Sequence, residues 1–342
     1  MSTAEFSGLS IAVLLPCYNE GTSIASVVFG FRAALPTARI YVYDNNSTDD
    51  TSAQAAFAGA TVVPSRRQGK GNVVRQMFAD IEADIYLMAD GDGTYDPAAA
   101  PHMITTLIED RADMVVGTRR NVTEDAGRNG HAFGNRLFNS IYRALFGSDF
   151  TDIFSGYRAF TRRFAKSFPA SSPGFEIETE MSVHASTLRL PVSEIEFNYG
   201  RRLDGSESKL STFRDGFRIL RMMGMLMKET RPFLFFSYVS VGLLGSAAFF
   251  GMPVLTEYFA TGLVTKMPTW MLSMTLLLGA MMTFMAGVVL DSVSRSRVEQ
   301  KRIHYLSIPS SRGESVLSGT TPLHDRRETD QMTTPATRKA NL

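Results

Sequence analysis

Cysteine and tryptophan are almost absent from this chain: among 342 residues there is one of each, Cys17 and Trp270. A single cysteine excludes an intramolecular disulfide framework and is typical of a reducing compartment. The residues before Ser10 lack the apolar core of a secretory signal, so we expect none. Lysine and arginine number 35 against 34 acidic residues, a net charge of +1. This balance lacks the basic excess of nucleic-acid-binding proteins, and we expect no nucleic acid partner.

Charge is missing altogether from two long stretches, residues 233–255 and 269–290. Each is long enough to cross a hydrocarbon layer of about 30 Å as a helix. We therefore predict a hairpin of two transmembrane helices over residues 232–292, placed in the lipid bilayer. Tyr258 and Trp270 have the positions of interfacial anchors.

The segment before the first span, residues 212–231, combines an apolar stripe with basic residues beside it. The apolar positions are Phe213, Phe217, Leu220, Met223 and Met227, and the basic ones are Arg214, Arg218, Arg221 and Lys228. This pattern predicts an amphipathic juxtamembrane helix on an anionic membrane surface. An ordinary surface helix packed on the domain would have the same pattern.

Basic residues flank the two spans on one side of the predicted membrane. Arg231 precedes the first span, and the second is followed by Arg295, Arg297, Lys301 and Arg302. The positive-inside rule then predicts an integral protein of the cell (inner) membrane, with the N-terminal domain and both termini in the cytoplasm. Residues 293–342 are predicted to be a cytoplasmic tail, mostly disordered, because Ser, Thr, Pro and charge accumulate from about Ser307 onward.

Residues 1–211 have the pattern of an α/β domain. Three apolar stretches, residues 10–16, 39–43 and 84–89, are typical of buried strands, and helix-like segments lie between them. Each stretch ends in a polar loop. We therefore predict a mostly parallel central sheet whose strand ends form a nucleotide-binding crevice.

The third stretch leads into Asp90-Gly91-Asp92-Gly93-Thr94. Two carboxylates two residues apart repel each other unless a cation lies between them, and hard oxygen ligands suit Mg²⁺ or Mn²⁺ together with phosphate oxygens. We predict a metal–diphosphate site with Asp90, Asp92 and Thr94 as ligands. An acidic surface turn is the alternative, because the motif alone is weak.

Several motifs stand in the order seen in family 2 glycosyltransferases of GT-A fold, and the chain resembles that family over roughly residues 8 to 295. The motifs are Pro16-Cys17-Tyr18-Asn19-Glu20, residues 44–51, Gly69-Lys70-Gly71, the Asp90/Asp92 pair and residues 151–158, Thr-Asp-Ile-Phe-Ser-Gly-Tyr-Arg. Residues 202–209 look like a motif of the polyprenyl-phosphate branch, the dolichol-phosphate mannosyltransferase-like enzymes. The chain departs from the family in the second motif, where Asp44-Asn45-Asn46 replaces Asp-Asp-Gly and leaves one carboxylate fewer.

The resemblance implies an inverting, metal-dependent hexosyltransferase. It would move a sugar from a UDP- or GDP-sugar to polyprenyl phosphate at the cytoplasmic membrane face. Asp152 would act on the acceptor as base or orienting group, unless it only caps the turn that follows, and Asp92 would act at the metal. The candidate substrate-binding residues are Pro16, Tyr18, Glu20, Asp44, Lys70, Asp90, Arg119, Arg136, Arg158, Arg202, Ser208 and Lys209.

Two other functions stay open from the sequence. One is transfer to another membrane acceptor, a glycolipid or a polysaccharide, and the other is a non-catalytic membrane protein that binds nucleotides. A processive synthase is disfavoured, because the sequence contains no Gln-x-x-Arg-Trp motif. A homo-oligomer is also left open.

Overall fold

The computed structural model describes residue 6 and residues 8–120, 140, 142–143, 150–174, 176–198, 221, 224–225 and 227–309. The strands are β1 Ile11–Cys17, β2 Arg39–Asp44, β3 Thr61–Pro64, β4 Ile85–Met88, β5 Met114–Arg120, β6 Arg158–Thr161 and β7 Val192–Asn198. The helices are α1 Ile24–Ala34, α2 Thr51–Phe57, α3 Lys70–Asp80, α4 Ala100–Glu109, α5 Arg162–Ser167, α6 Ile177–Leu188, α7 Pro232–Thr261 and α8 Met267–Ser307.

The seven strands form one sheet in the order β3-β2-β1-β4-β6-β5-β7. All pairings are parallel except those of β6, which runs antiparallel to β4 and β5. The predicted mostly parallel sheet is confirmed. Because β1, β2 and β4 run in the same direction, their carboxyl ends meet at one edge, which we call the cleft edge.

Helices cover both faces of this sheet, which explains why the central strands β1 and β4 are continuous apolar runs. Successive side chains of a strand point to opposite faces. Val13 and Leu15 accordingly belong to the core cluster that contains Phe31 of α1. Leu14 belongs to the other cluster, which contains Met77 of α3. The strands are therefore fixed on both sides, and the loops at the cleft edge extend from a rigid base.

Small residues pair α7 with α8. Ser273, Ala280, Gly287 and Ser294 recur at every seventh position and are the buried residues of α8, which is the spacing of a left-handed helix pair. The Ser273 hydroxyl donates to the carbonyl of Ala247 at 2.8 Å. Most other apolar side chains of the two helices are exposed. Both helices are long and apolar enough to cross a membrane.

The predicted spans, residues 233–255 and 269–290, lie inside these helices, but α8 continues much further. Its 41 residues correspond to a length of about 61 Å, twice the thickness of a bilayer core. Residues 293–307, the start of the predicted tail, are therefore helical, and the disorder predicted from about Ser307 onward stays a prediction. Of the predicted amphipathic helix 212–231, only residues 221, 224–225 and 227–231 are described, so that prediction stands as it was.

The last residues of α8 pack on the α/β domain and form what we call the docking segment, residues 301–308. The Tyr305 hydroxyl donates to Oδ2 of Asp113, at the start of β5, over 2.7 Å. Arg302 donates to the carbonyl of Leu188, at the end of α6, over 3.1 Å. These contacts hold the end of α8 on the domain, and hydropathy carries no signal for them.

Candidate active site

The loops after β1 and β2 are joined by hydrogen bonds at the cleft edge. The amide of Glu20 donates to Oγ1 of Thr51 at 2.8 Å, and the amide of Gly21 donates to Oδ2 of Asp49 at 3.0 Å. Tyr18 lies at the surface of the first loop and is 36% exposed. Pro16 lies within β1, opposite Tyr43 of β2 in the ladder. The structure thus brings the first two motifs together.

Asp44 ends β2, and its carboxylate is occupied within its own loop. Oδ1 accepts a hydrogen bond from the amide of Ser47 at 2.9 Å, and Oδ2 accepts one from the Ser52 hydroxyl. In this state Asp44 shapes the loop that borders the cleft. Its predicted contact with a nucleotide stays a prediction.

Asn45, at the departure from the family pattern, has a role that the sequence argument missed. Its side chain is 4% exposed and donates to the carbonyls of Ser65 and Arg67 at 3.0 and 2.8 Å. Its Oδ1 accepts from the amide of Gly69 at 2.7 Å. A carboxylate could not make the two donated bonds. The asparagine therefore holds the loop that leads into α3.

Gly69 and Gly71 allow the segment between α5 and α6 to approach the start of α3. Gly69 has a φ of +123°, and a Cβ at Gly69 or Gly71 would lie 2.2 Å or 1.9 Å from the carbonyl oxygen of Pro173 or Ser172. Only glycine fits this contact. It brings Lys70, between the two glycines, next to the start of α6.

Lys70 binds carboxylates from two different elements. Its ammonium contacts Oδ1 of Asp90, after β4, and lies 2.5 Å from Oε1 of Glu178, in the first turn of α6. Burial alone would lower the pKa of Lys70, but the charges of Asp90 and Glu178 together raise it above its ordinary value. The lysine is therefore charged. Glu178 was not among the predicted site residues, since nothing in its local sequence distinguishes it from a helix-start glutamate.

Asp92 turns inward and organises its own loop. Its Oδ1 accepts hydrogen bonds from the amide and hydroxyl of Thr94, at 3.1 and 2.6 Å. Asp92 and Thr94 are 5% and 1% exposed, whereas the Asp90 side chain is 30% exposed. The three predicted metal ligands thus lie in one loop. The Thr94 hydroxyl, however, is directed to Asp92.

The segment 151–157 runs over the same cluster. The amide of Gly156 donates to the Tyr95 hydroxyl at 2.9 Å, and a Cβ on Gly156 would lie 3.0 Å from both Asp90 and Lys70. Asp152 is half-buried, and its Oδ1 accepts from the amide of Phe154 at 3.2 Å. The turn-capping alternative for Asp152 is therefore observed, and its role toward an acceptor stays a prediction.

The predicted phosphate contact of Arg158 is a misassignment. Its side chain is fully buried, and its guanidinium donates to the carbonyls of Ser155 and Ile153 and to the Ser182 hydroxyl, at 2.8 to 3.0 Å. All three partners are interior groups. Arg158 therefore supports the turn from below and does not face the cleft.

The chemistry of the cluster fits a divalent cation. Two carboxylates, Asp90 and Glu178, contact the Lys70 ammonium, and Asp92 adds a third in the loop of Asp90, which leaves two negative charges when all are ionised. No group of three or more His, Cys, Asp or Glu side chains in the described part of the chain could hold a metal by itself. Asp90 and Asp92 would therefore hold the ion with phosphate oxygens and water, as is usual for Mg²⁺.

Several predicted residues cannot be placed. Arg136, Arg202, Ser208 and Lys209 lie outside the described residues, and Arg119 is described only as backbone near the end of β5. Their predicted contacts with phosphate stay predictions.

Comparison with known proteins identifies the family. Residues 12–168 match the family model described as glycosyl transferase family 2. Glycosyltransferase AglJ of Haloferax volcanii is 35% identical over 301 residues, which cover 87% of this chain and 98% of that protein. The chain belongs to glycosyltransferase family 2. The undecaprenyl-phosphate mannosyltransferase of Micrococcus luteus is 25% identical over 220 residues, which cover 59% of this chain and 88% of that protein.

A solved structure agrees with this assignment at the level of the fold. Glucosyl-3-phosphoglycerate synthase from Mycobacterium tuberculosis, in complex with Mn²⁺, uridine diphosphate and glucosyl-3-phosphoglycerate, superposes with a TM-score of 0.55. The match has 22% identity and covers 67% of this glycosyltransferase and 84% of that chain. The sheet described above is therefore a GT-A-like sheet.

Proposed function

We propose that this glycosyltransferase is an inverting, metal-dependent enzyme that moves a hexose from a nucleotide-diphosphate sugar to polyprenyl phosphate at the cytoplasmic face of the membrane. One observation carries the proposal. A cluster with two uncompensated negative charges, built around Asp90, Asp92 and Lys70, lies at the cleft edge of a domain joined to two membrane-type helices.

The donor half of the proposal is supported by the position of the cluster. Nucleotides bind at the carboxyl ends of parallel strands in open α/β sheets, and the loops after β1, β2 and β4 meet there. Asp90 and Asp92 would hold Mg²⁺ or Mn²⁺, which when bound would stabilise the negative charge on the departing diphosphate. Lys70, whose ammonium contacts Asp90, would add a positive charge beside the same phosphates.

The acceptor half is supported by the two long helices and by a relative. A polyprenyl chain leaves a bilayer only at a cost of about 0.8 kcal/mol per CH₂ group, so an enzyme that uses it must keep its site near the membrane surface. The Micrococcus luteus relative is named for undecaprenyl phosphate. Asp152 would orient the acceptor phosphate, which is already an anion near neutral pH and needs little help from a base.

The direct test supplies purified enzyme in bilayers with Mn²⁺, a panel of nucleotide sugars and polyprenyl phosphate. We expect one donor to yield a glycolipid whose mass equals polyprenyl phosphate plus one hexosyl residue, that is, a hexose less one water. A diacylglycerol lipid and an oligosaccharide serve as competing acceptors. Transfer only to one of these would replace the acceptor in our proposal, and absence of transfer with every donor would contradict catalysis.

Asp92→Asn tests the metal site. The amide oxygen can still accept both hydrogen bonds from Thr94, so the loop should keep its shape. The lost charge should reduce transfer at least about 100-fold, because several kcal/mol of charge stabilisation depend on the cation. Asp110→Asn, at an exposed carboxylate that accepts from Ser193, is the matched control. Equal activity of the two variants, or full activity in excess chelator, would contradict the metal assignment.

A further inference from the structure

Glu178 is the one member of the charged cluster whose role is not explained by the proposed reaction. It lies in the first turn of α6, and its side chain is 5% exposed. Oε1 is paired with Lys70 at 2.5 Å, whereas Oε2 is buried and accepts no hydrogen bond from any described residue. Burying a carboxylate so incompletely paired is costly, and a helix start does not need it.

Because Glu178 also contacts Lys70, the attraction of this one ammonium is divided between the carboxylates of Asp90 and Glu178. Lys70 is 9% exposed, and its ammonium contacts both Asp90 and Glu178. When all three groups are ionised, they together carry one negative charge. With Glu178 absent, the same ammonium would pair with Asp90 alone, and that pair would be neutral.

A neutral pair would oppose the binding of a cation at Asp90. An incoming Mg²⁺ or Mn²⁺ must compete with the ammonium for the Asp90 carboxylate, and in a poorly hydrated site this competition is strong. A second carboxylate in contact with the ammonium weakens the attraction between Lys70 and Asp90. It also keeps a partner for the lysine once the cation takes over Asp90.

We propose that Glu178 is a positioning residue that acts through Lys70: it shares the ammonium with Asp90 and keeps it paired when the cation binds, so that Asp90 can bind the cation while Lys70 stays charged beside the diphosphate site. This inference rests on the proposed function, because it concerns the same metal and the same phosphates. It gives α6 a direct part in assembling the site.

The test measures binding of Mn²⁺ to the full chain in detergent micelles, with and without UDP, by electron paramagnetic resonance of the free ion. In Glu178→Gln, which preserves volume, we expect the Mn²⁺ dissociation constant to rise about tenfold, equivalent to about 1.4 kcal/mol. Glu178→Asp keeps the charge but withdraws it from Lys70 by one methylene group, and we expect most of the same loss. Thermal melting confirms that each variant is folded.

A double-variant cycle separates an effect through Lys70 from a simple effect of charge. In Lys70→Gln no ammonium competes for Asp90, so adding Glu178→Gln should change the Mn²⁺ dissociation constant less than twofold. Double-variant cycles measure this kind of coupling between two residues.

The inference is overturned if Glu178→Gln weakens binding equally with and without Lys70. It is also overturned if Glu178→Asp binds Mn²⁺ like the parent, and this result decides the matter if Lys70→Gln does not fold. A parent protein that binds no Mn²⁺ under either condition would overturn the proposed function itself.

Discussion

His184 is a titratable residue that the fold keeps neutral. It is 5% exposed, and the rings of Phe164 and Phe168 contact it edge-on, with centroids 5.5 and 5.4 Å away. Burial, reinforced by the charge of Lys301, lowers the pKa of His184 to about 3. The imidazole therefore acts as a packing group between α5, α6 and α8 at all physiological pH values.

This environment predicts how stability depends on pH. The unfolded chain protonates His184 near its ordinary pKa of 6.5, but the folded chain does not, so between about pH 6.5 and about pH 3 unfolding takes up a proton. Stability should fall as the pH falls through this window, by up to about 1.4 kcal/mol per pH unit. In His184→Gln the drop between pH 7 and pH 5 should be smaller by about 2 kcal/mol.

Chemical unfolding in detergent micelles at the two pH values measures this difference. His102→Gln, at an exposed position of α4, is the matched control and should leave the drop unchanged. A drop in His184→Gln as large as in the parent would show that other groups determine the acid sensitivity.

Single site residues were identified from the sequence where their type and spacing serve few purposes in proteins. Asp90 and Lys70 belong to motifs and meet at the cleft edge as ion-pair partners. Arg158 also belongs to a motif, yet its side chain is interior. An arginine in such a motif can either bind phosphate or support the turn, and only its burial in the fold distinguishes these two roles. Glu178 lies 88 residues from Asp90 along the chain, and no local pattern reports a contact over that distance.

Among the elements, α7 and α8 owe their contact to residues without bulky side chains. A Cβ on Gly251 would lie 2.4 Å from Oγ of Ser273, in the line of contact between the helices. Gly245, on the same helix, has no atom within 4 Å of its Cβ position. Gly251 and Gly245 thus allow the same substitution to be compared at a packed and at an open position.

Gly251→Leu should separate the helices and destabilise the hairpin by about 1–3 kcal/mol, the usual cost of overpacking. Gly245→Leu should leave stability within about 0.5 kcal/mol of the parent, as for substitutions that touch nothing. Thermal unfolding of the two variants in the same detergent makes the comparison. Similar melting temperatures for both would mean that the observed helix contact contributes little to stability.

The elements also show where sequence patterns stop being informative. Uncharged runs predicted both spans, because crossing a membrane requires apolar length. The same criterion placed the end of the second span near residue 290 and gave no reason to continue the helix. Residues 293–307 are largely polar, and the end of their helix is held on the domain by Tyr305 and Arg302, through contacts that depend on tertiary structure.

For the whole molecule, α8 is a continuous connection from the apolar hairpin to the α/β domain. Its docking segment contacts Asp113 and Leu188, and Arg163 adds a hydrogen bond to the carbonyl of Ile308 at 2.8 Å. Leu188 ends the same helix, α6, that carries Glu178 at its start. A helix of this length is stiff, so it fixes the distance between the membrane-type span and the cleft edge. The predicted amphipathic helix 212–231 would add a second support.

Two truncations test whether this connection positions the site for a membrane-bound acceptor. A chain that ends after Pro309 keeps the docking segment, and a chain that ends after Ser292 keeps both apolar spans but loses every docking contact. We expect the first to transfer sugar to long-chain polyprenyl phosphate in vesicles like the full chain. The second should bind Mn²⁺ and UDP normally and should still use a short, water-soluble acceptor analogue. Its transfer to the long-chain acceptor should fall about tenfold or more, since a misplacement of about 1 Å in a reactive geometry can cost 100-fold.

Tyr305→Phe removes only the hydrogen bond to Asp113 and should give a smaller loss of the same kind. Equal transfer to both acceptors by the chain that ends at Ser292 would show that the two spans and residues 212–231 position the site without α8, and the docking segment would then serve only the stability of the domain.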